Sequence, residues 1–163
     1  MTMERPFSHI NAEGKLRMVD ISNKRSTRRK AQASCHVLTV ASVDSLEPRR
    51  DGLDPRHAAR VAGVLAAKRT SDLIPLCHSL NLSDVDVEIV TGEGRVDISA
   101  TVTATQRTGV EMEALTACAF AALSIVDALR RVDPNAKIDD LALQRKEGGR
   151  SGPWGRAVPH SNA

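Results

Sequence analysis

Cys77-His78 closes the stretch Lys68-Arg69-Thr70-Ser71-Asp72-Leu73-Ile74-Pro75-Leu76-Cys77-His78 and is the most chemically suggestive pair in the chain. An imidazole exchanges protons near neutral pH. A lone histidine is more often structural than catalytic. Its place after Pro75, with Lys68 and Arg69 upstream, favours a site. A shared metal is the weaker use of this pair, because adjacent side chains in an extended segment point to opposite faces. Zinc would also need further ligands at spacings that are missing here. A second stretch, Thr108-Gly109-Val110-Glu111-Met112-Glu113, answers the first. Its acids stand in the first turn of a helical pattern, where acids commonly just complement the helix dipole. Two residues apart on a helix, Glu111 and Glu113 cannot both face one pocket. Beside Met112 and Leu115, one of them is drawn into apolar surroundings that raise a carboxyl pKa towards acid-base use.

Further along that helix come Asp127, Arg130 and Arg131. Their spacing fits a plain surface ion pair. Asp127 nevertheless follows the apolar Leu123, Ile125 and Val126, where a charge needs a reason. From Glu113 to Asp127 the helix rises roughly 21 Å. Either the ligand is long, like a nucleotide triphosphate, or two chains complete the site. The basic run Lys24, Arg25, Arg28, Arg29 and Lys30 reads as a solvated loop, or more sharply as phosphate binding around Arg29. Lys146, Gly148, Gly149 and Arg150 form a basic glycine turn, a weak phosphate signal opening a flexible tail.

The elements that must position these groups follow from periodicity. His9-Ile10 and residues 18–21 flank a turn at Glu13-Gly14, forming an arm or short hairpin after a disordered start. Residues 31–41 alternate small and apolar, a strand. Residues 42–53 connect, with room for one helical turn. Asp54-Pro55 starts a helix, an N-cap carboxylate before a proline at the first position. That helix runs to about Lys68, and the chain then runs extended towards His78. Residues 82–90 and 95–105 alternate strictly and predict a hairpin around Thr91-Gly92-Glu93-Gly94. A long helix follows over residues 110–132, stopped by Asp133-Pro134. Ile138, Leu141 and Leu143 mark a last strand. After the N-terminal arm the order βαββαβ predicts an α+β, ferredoxin-like fold: an antiparallel sheet with two helices on one face. The other face is either polar or covered by another subunit, and oligomerisation is expected.

The 163 residues fit one domain, and a hydrophobic share of 41% supports a core. With 2% aromatics, two phenylalanines and no tyrosine, a base-stacking platform for nucleic acid is not expected. A net charge of +3 with scattered cations suits an anionic small molecule better than a DNA stripe. Cysteines at 35, 77 and 118 read as reduced thiols of a cytoplasmic protein. No apolar run looks long enough to span a bilayer, and no signal-peptide core is apparent, so no membrane association is expected.

The chain resembles the cyclic pyranopterin monophosphate synthase family, molybdenum cofactor biosynthesis protein C. The matching stretches are His9-Ile10-Asn11, Met18-Val19-Asp20, Ala66-Ala67-Lys68-Arg69-Thr70, Asp72 to His78, and Thr108 to Thr116, with Lys146, Gly148-Gly149 and Ser151-Gly152 at the C-terminal end. They cover roughly residues 8 to 152. The resemblance implies a metal-independent lyase without a cofactor. A cyclised dihydroguanosine triphosphate rearranges to cyclic pyranopterin monophosphate, releasing diphosphate. It implies a homo-hexamer, a trimer of dimers, with sites between subunits. By matching position, Leu76, Cys77, His78, Met112 and Glu113 contact substrate and Asp127 is catalytic, with His78, Glu113 and Arg130 as the further catalytic candidates. Lys68, Arg29, Lys146 and Arg150 are candidates for phosphate or pterin contacts.

The family has a Lys-Gly-Asp loop before the first long helix, and a lysine three residues after its catalytic aspartate. Here the first region reads Asp51-Gly52-Leu53-Asp54 and the second is Arg130. A paralogue that binds a purine nucleotide without this turnover is the alternative. His78→Ala and Glu113→Gln are expected to spare the melting temperature while reducing ligand handling.

Overall fold

The computed structural model describes residues 9–11, 13–48, 52 and 54–157. Small and β-branched residues on every second position build its sheet. On β1 (Thr27–Leu38), Ala31, Ala33, Cys35 and Val37 turn inward and are fully buried. On β3 (Arg95–Gln106), Val96, Ile98, Ala100, Val102 and Ala104 do the same. β2 (Asp84–Gly92) and β4 (Lys137–Glu147) lie outside them. β5 (Trp154–Gly155) adds a short edge, giving the order β2-β3-β1-β4-β5 with antiparallel neighbours throughout. The two long helices, α1 (Pro55–Lys68) and α3 (Glu111–Leu129), pack on each other and on the inner face of the sheet. This is the expected ferredoxin-like arrangement with one added strand.

The other face is polar. Gln32, Ser34, His36, Asp97, Ser99 and Thr101 are partly exposed along it. His36 Nδ1 stands 2.6 Å from an Asp97 oxygen that Arg95 also engages, and Gln144 donates to Ser34 at 2.8 Å. The first of the two alternatives for this face, polar residues, thus holds.

α1 has the bounds its caps predict. Asp54 accepts from Arg56 N at 3.0 Å and His57 N at 3.2 Å, with Pro55 at the first position. Midway along it, Gly63 lets α3 approach closely: a β-carbon there would sit 2.9 Å from the Ala117 carbonyl oxygen and 3.2 Å from a Val87 methyl. Helix propensity alone favours alanine at a helical glycine by about 1 kcal/mol. We expect Gly63→Ala to destabilise instead, by about 1–2 kcal/mol in urea unfolding, because backbone must move. A stabilised variant would show that the helix pair has slack.

Several boundaries differ from expectation. β1 starts at Thr27, four residues early, because β3 extends to pair Thr27 with Gln106. The basic residues Arg28, Arg29 and Lys30 are therefore strand, not loop. The β2–β3 loop is only Glu93-Gly94, with Gly94 at φ +70°. α3 stops at Leu129 rather than Val132. Beyond it, the buried Asp133 carboxylate accepts from Thr39 Oγ1 at 2.7 Å, Val40 N at 2.8 Å and Asn135 N at 3.0 Å, tying this turn to the end of β1.

After Lys68 the chain is not extended. One helical turn, α2 (Thr70–Leu73), intervenes, and Leu76 then takes a left-handed φ of +67°. Residues 149–157 are no free tail, since β5 pairs Trp154 with Lys146. In the N-terminal arm, Ile10 bridges Leu16, so the return strand precedes Met18. The disordered start expected to about Phe7 lies outside the described residues, as do Asp51 and Leu53 of the connection. By its length of 19 residues and a mean hydropathy of 1.6 over an 18-residue window, α3 could cross a membrane, contrary to expectation. It packs instead on α1 and the sheet.

Candidate active site

β1 is the central strand of the layer, so groups at its N-terminal end meet groups from both neighbours. Arg29 pairs with Ala104 on the β3 side, while Ala31 pairs with Lys146 on the β4 side. The β3–α3 junction, carrying Arg107, Thr108 and Gly109, and the β4–β5 loop, carrying Gly149, Arg150 and Ser151, close over this end. Together they enclose a cavity of about 810 Å³. Its walls carry Lys24, Arg25, Arg29, Arg107 and Arg150 and, among the described residues, no carboxylate. Such a concentration of cations in one concavity focuses positive potential on an anion.

Arg29 is held rather than free. Its Nε donates to the Gln106 carbonyl at 3.4 Å, and its guanidinium lies over Gly149, where a β-carbon would overlap Nη1. Gly149 is also left-handed, at φ +87°, which costs any other residue strain. Gly149→Ala should therefore displace Arg29 and weaken binding of inorganic diphosphate by roughly tenfold or more, the scale of one charged contact. Calorimetry on the purified protein checks this, and unchanged affinity would remove Arg29 from the anion site.

Against one wall, Glu111 Oε1 pairs with Lys146 Nζ at 3.0 Å. Glu113, two residues on, turns the other way, into the protein, and is 4% exposed. Burial pushes its carboxyl up to about 7, with help from the Glu111 charge. Met112 between them stays exposed. The Cys77 thiol is raised by its own burial and then by the Glu113 carboxylate, which puts these two groups close together. Leu76 and His78 flank it, both partly exposed. A carboxyl with a pKa near neutrality both gives and takes a proton at pH 7.

Arg29 and Arg150 line the cavity and Lys146 the adjoining cleft, whereas Glu113 and Cys77 neighbour each other near the start of α3 and line neither space. Asp127 and Arg130 belong to neither group. They form a 3.6 Å ion pair near the other end of α3, each side chain three-quarters exposed. Ile125 turns into the core while Leu123 shares the exposed face of Asp127, so the carboxylate stands in solvent and not in buried apolar surroundings. Lys68 is exposed at the last turn of α1 and lines neither wall. Sequence reasoning missed Arg107 and the role of Lys24 and Arg25 in the cavity. The signal for Arg107 was its place directly before Thr108-Gly109. Glu111 was read only as a helix-dipole acid.

Comparison with known proteins identifies the family. The sequence pattern described as "MoaC family" matches residues 18–149. The chain is 51% identical over 155 residues to "Cyclic pyranopterin monophosphate synthase 2" of Mycobacterium tuberculosis, covering 92% of this chain and 91% of that one. It is 48% identical over 154 residues to "Cyclic pyranopterin monophosphate synthase" of Streptomyces coelicolor, covering 93% and 90%. The protein of the same name from Chloroflexus aggregans is 47% identical over 157 residues, covering 92% and 93%. With a match across most of its length and relatives near half identity, the chain belongs to the MoaC family.

Proposed function

We propose that this protein is a cyclic pyranopterin monophosphate synthase, a lyase of molybdenum cofactor biosynthesis. It rearranges a cyclised dihydroguanosine triphosphate and releases diphosphate. What supports this reading is a cavity walled by five cations at the β3–α3 junction, together with a buried carboxyl in the first turn of α3 whose pKa is raised to about 7. A polyphosphate leaving group needs the first, and a rearrangement that moves protons needs the second. In this reading Arg29 and Arg150 hold the phosphates with Lys146. Leu76, Cys77, His78 and Met112 border the base and sugar, and Glu113 exchanges the proton.

Asp127 and Arg130 enter from a second copy. A helical rise of roughly 21 Å separates Glu113 from Asp127 within one chain. Val61 and Leu65 on α1 and Phe120 and Leu123 on α3 leave an exposed apolar helix surface leading to Asp127. Lys68 joins from the same surface. We assign the assembly as a hexamer acting in the cytoplasm, with α3 serving as a core helix. Light scattering should give a mass several times 17.6 kDa at micromolar concentration. A monomer would leave Asp127 without a site.

The activity test is incubation of the purified protein with the cyclised nucleotide, following product by chromatography and diphosphate release in parallel. Equal amounts of both are expected. Failure to form product, whether or not the nucleotide binds, would overturn the reading.

A further inference from the structure

We infer that Glu111 is a positioning residue, which parks Lys146 at the wall of the cationic cavity and yields it to an incoming phosphate. This rests on the reading of that cavity as the phosphate site. Glu111 and Lys146 meet at 3.0 Å with about 30% of each side chain exposed, 28% and 31%. Both line a narrow cleft with Arg29, Gly109 and Gly148, and Arg29, Gly109 and Ser151 belong to the large cavity as well. The pair therefore stands where the two spaces join.

Its geometry is built in. The Glu111 carboxylate lies over Gly109, where any β-carbon would overlap it. Lys146 is fixed from both sides by strand pairing, to Ala31 of β1 and to Trp154 of β5. Backbone at both ends is thus set, and only the two side chains are free to part. The other charged groups of the cleft are Arg29 and Lys30 from β1 and Glu147 from β4. With Glu111 paired, Lys146 adds no net charge to the empty cavity. A phosphate with about two negative charges is the stronger partner for an ammonium and takes it over. The carboxylate thereby tunes affinity downward, so that a released diphosphate is not held too tightly.

The test is diphosphate affinity by calorimetry on the full chain, with no turnover involved. Glu111→Gln removes the competing charge and keeps the shape. It should bind inorganic diphosphate on the order of fivefold more tightly, the scale of a half-exposed ion pair. The gain should vanish in the double variant with Lys146→Met, as a double-mutant cycle requires of a coupled pair. A merely structural Glu111 would give weaker binding. Unchanged or weaker binding in Glu111→Gln, or a gain that survives loss of Lys146, would overturn the inference. If the unaltered protein binds diphosphate yet forms no product, the functional reading fails while this one stands.

Discussion

Measured beside a relative carrying lysine at both family positions, this chain should convert the cyclised nucleotide at least about a hundredfold more slowly while still binding it. General acid-base catalysis typically contributes about a hundred- to ten-thousand-fold. An ammonium can be tuned towards neutral pH by burial, whereas a guanidinium stays protonated. Arg130 is 75% exposed and already paired with Asp127, so nothing in its own chain brings it towards a proton-exchanging role. Among the described residues, the cation nearest in sequence to the altered loop is Arg56, in the first turn of α1. Glu47 holds it through two bonds of 3.1 and 3.2 Å, with Asp54 close by, and it is not free to replace the other lysine. Arg49 and Arg50 lie outside the described residues. Binding should survive, because the cations that line the cavity, Lys24, Arg25, Arg29, Arg107 and Arg150, are all retained. Arg130→Lys should recover about tenfold in kcat with little change in KM. Turnover equal to the reference would mean that the family lysines act only as charges, a role arginine fills.

The fold was legible because its strands alternate without exception where they matter. Val85, Val87 and Ile89 against Asp84, Asp86 and Glu88 leave no choice of register. Asp54-Pro55 fixes the start of α1 through chemistry confined to four residues. Boundaries set by distant partners were not legible. β1 begins at Thr27 because β3 runs to Gln106, and α3 ends early because Asp133 is committed to Thr39 and Val40. The site divides the same way. Glu113 was recognisable as a carboxyl drawn into apolar surroundings, yet which of two acids would be buried depends on how α3 rolls onto the sheet. Arg107 joined the cavity only because β3 delivers it beside Arg29. The Glu111–Lys146 contact spans 35 positions of sequence, and no local pattern announces it.

Glu113→Gln should separate stability from activity, and the sign of the effect depends on pH. The carboxyl moves from its ordinary 4.5 to about 7 on folding, chiefly through burial. Between those values the folded chain holds a proton that the unfolded chain has lost. Stability is therefore greatest below 4.5, falls as pH rises through this window, and has lost its full increment above about 7. At about 1.4 kcal/mol per unit, the increment is roughly 3 kcal/mol. Glutamine keeps the shape and never ionises, so the variant should melt several degrees higher than the parent near pH 8, at about 2–4 °C per kcal/mol for a chain of this size. Near pH 5 the two should melt together, and only there does the expectation of an unchanged melting temperature apply. Turnover should fall by about a hundred- to ten-thousand-fold at either pH, because the amide cannot exchange the proton. Melting curves at the two pH values, with kcat measured alongside, decide the matter. A variant that melts lower at both would show that the Glu113 charge is stabilised by partners in the assembled protein. A carboxyl that lowers stability at neutral pH and is nonetheless present is what a proton-exchanging residue looks like when stability is given up for chemistry.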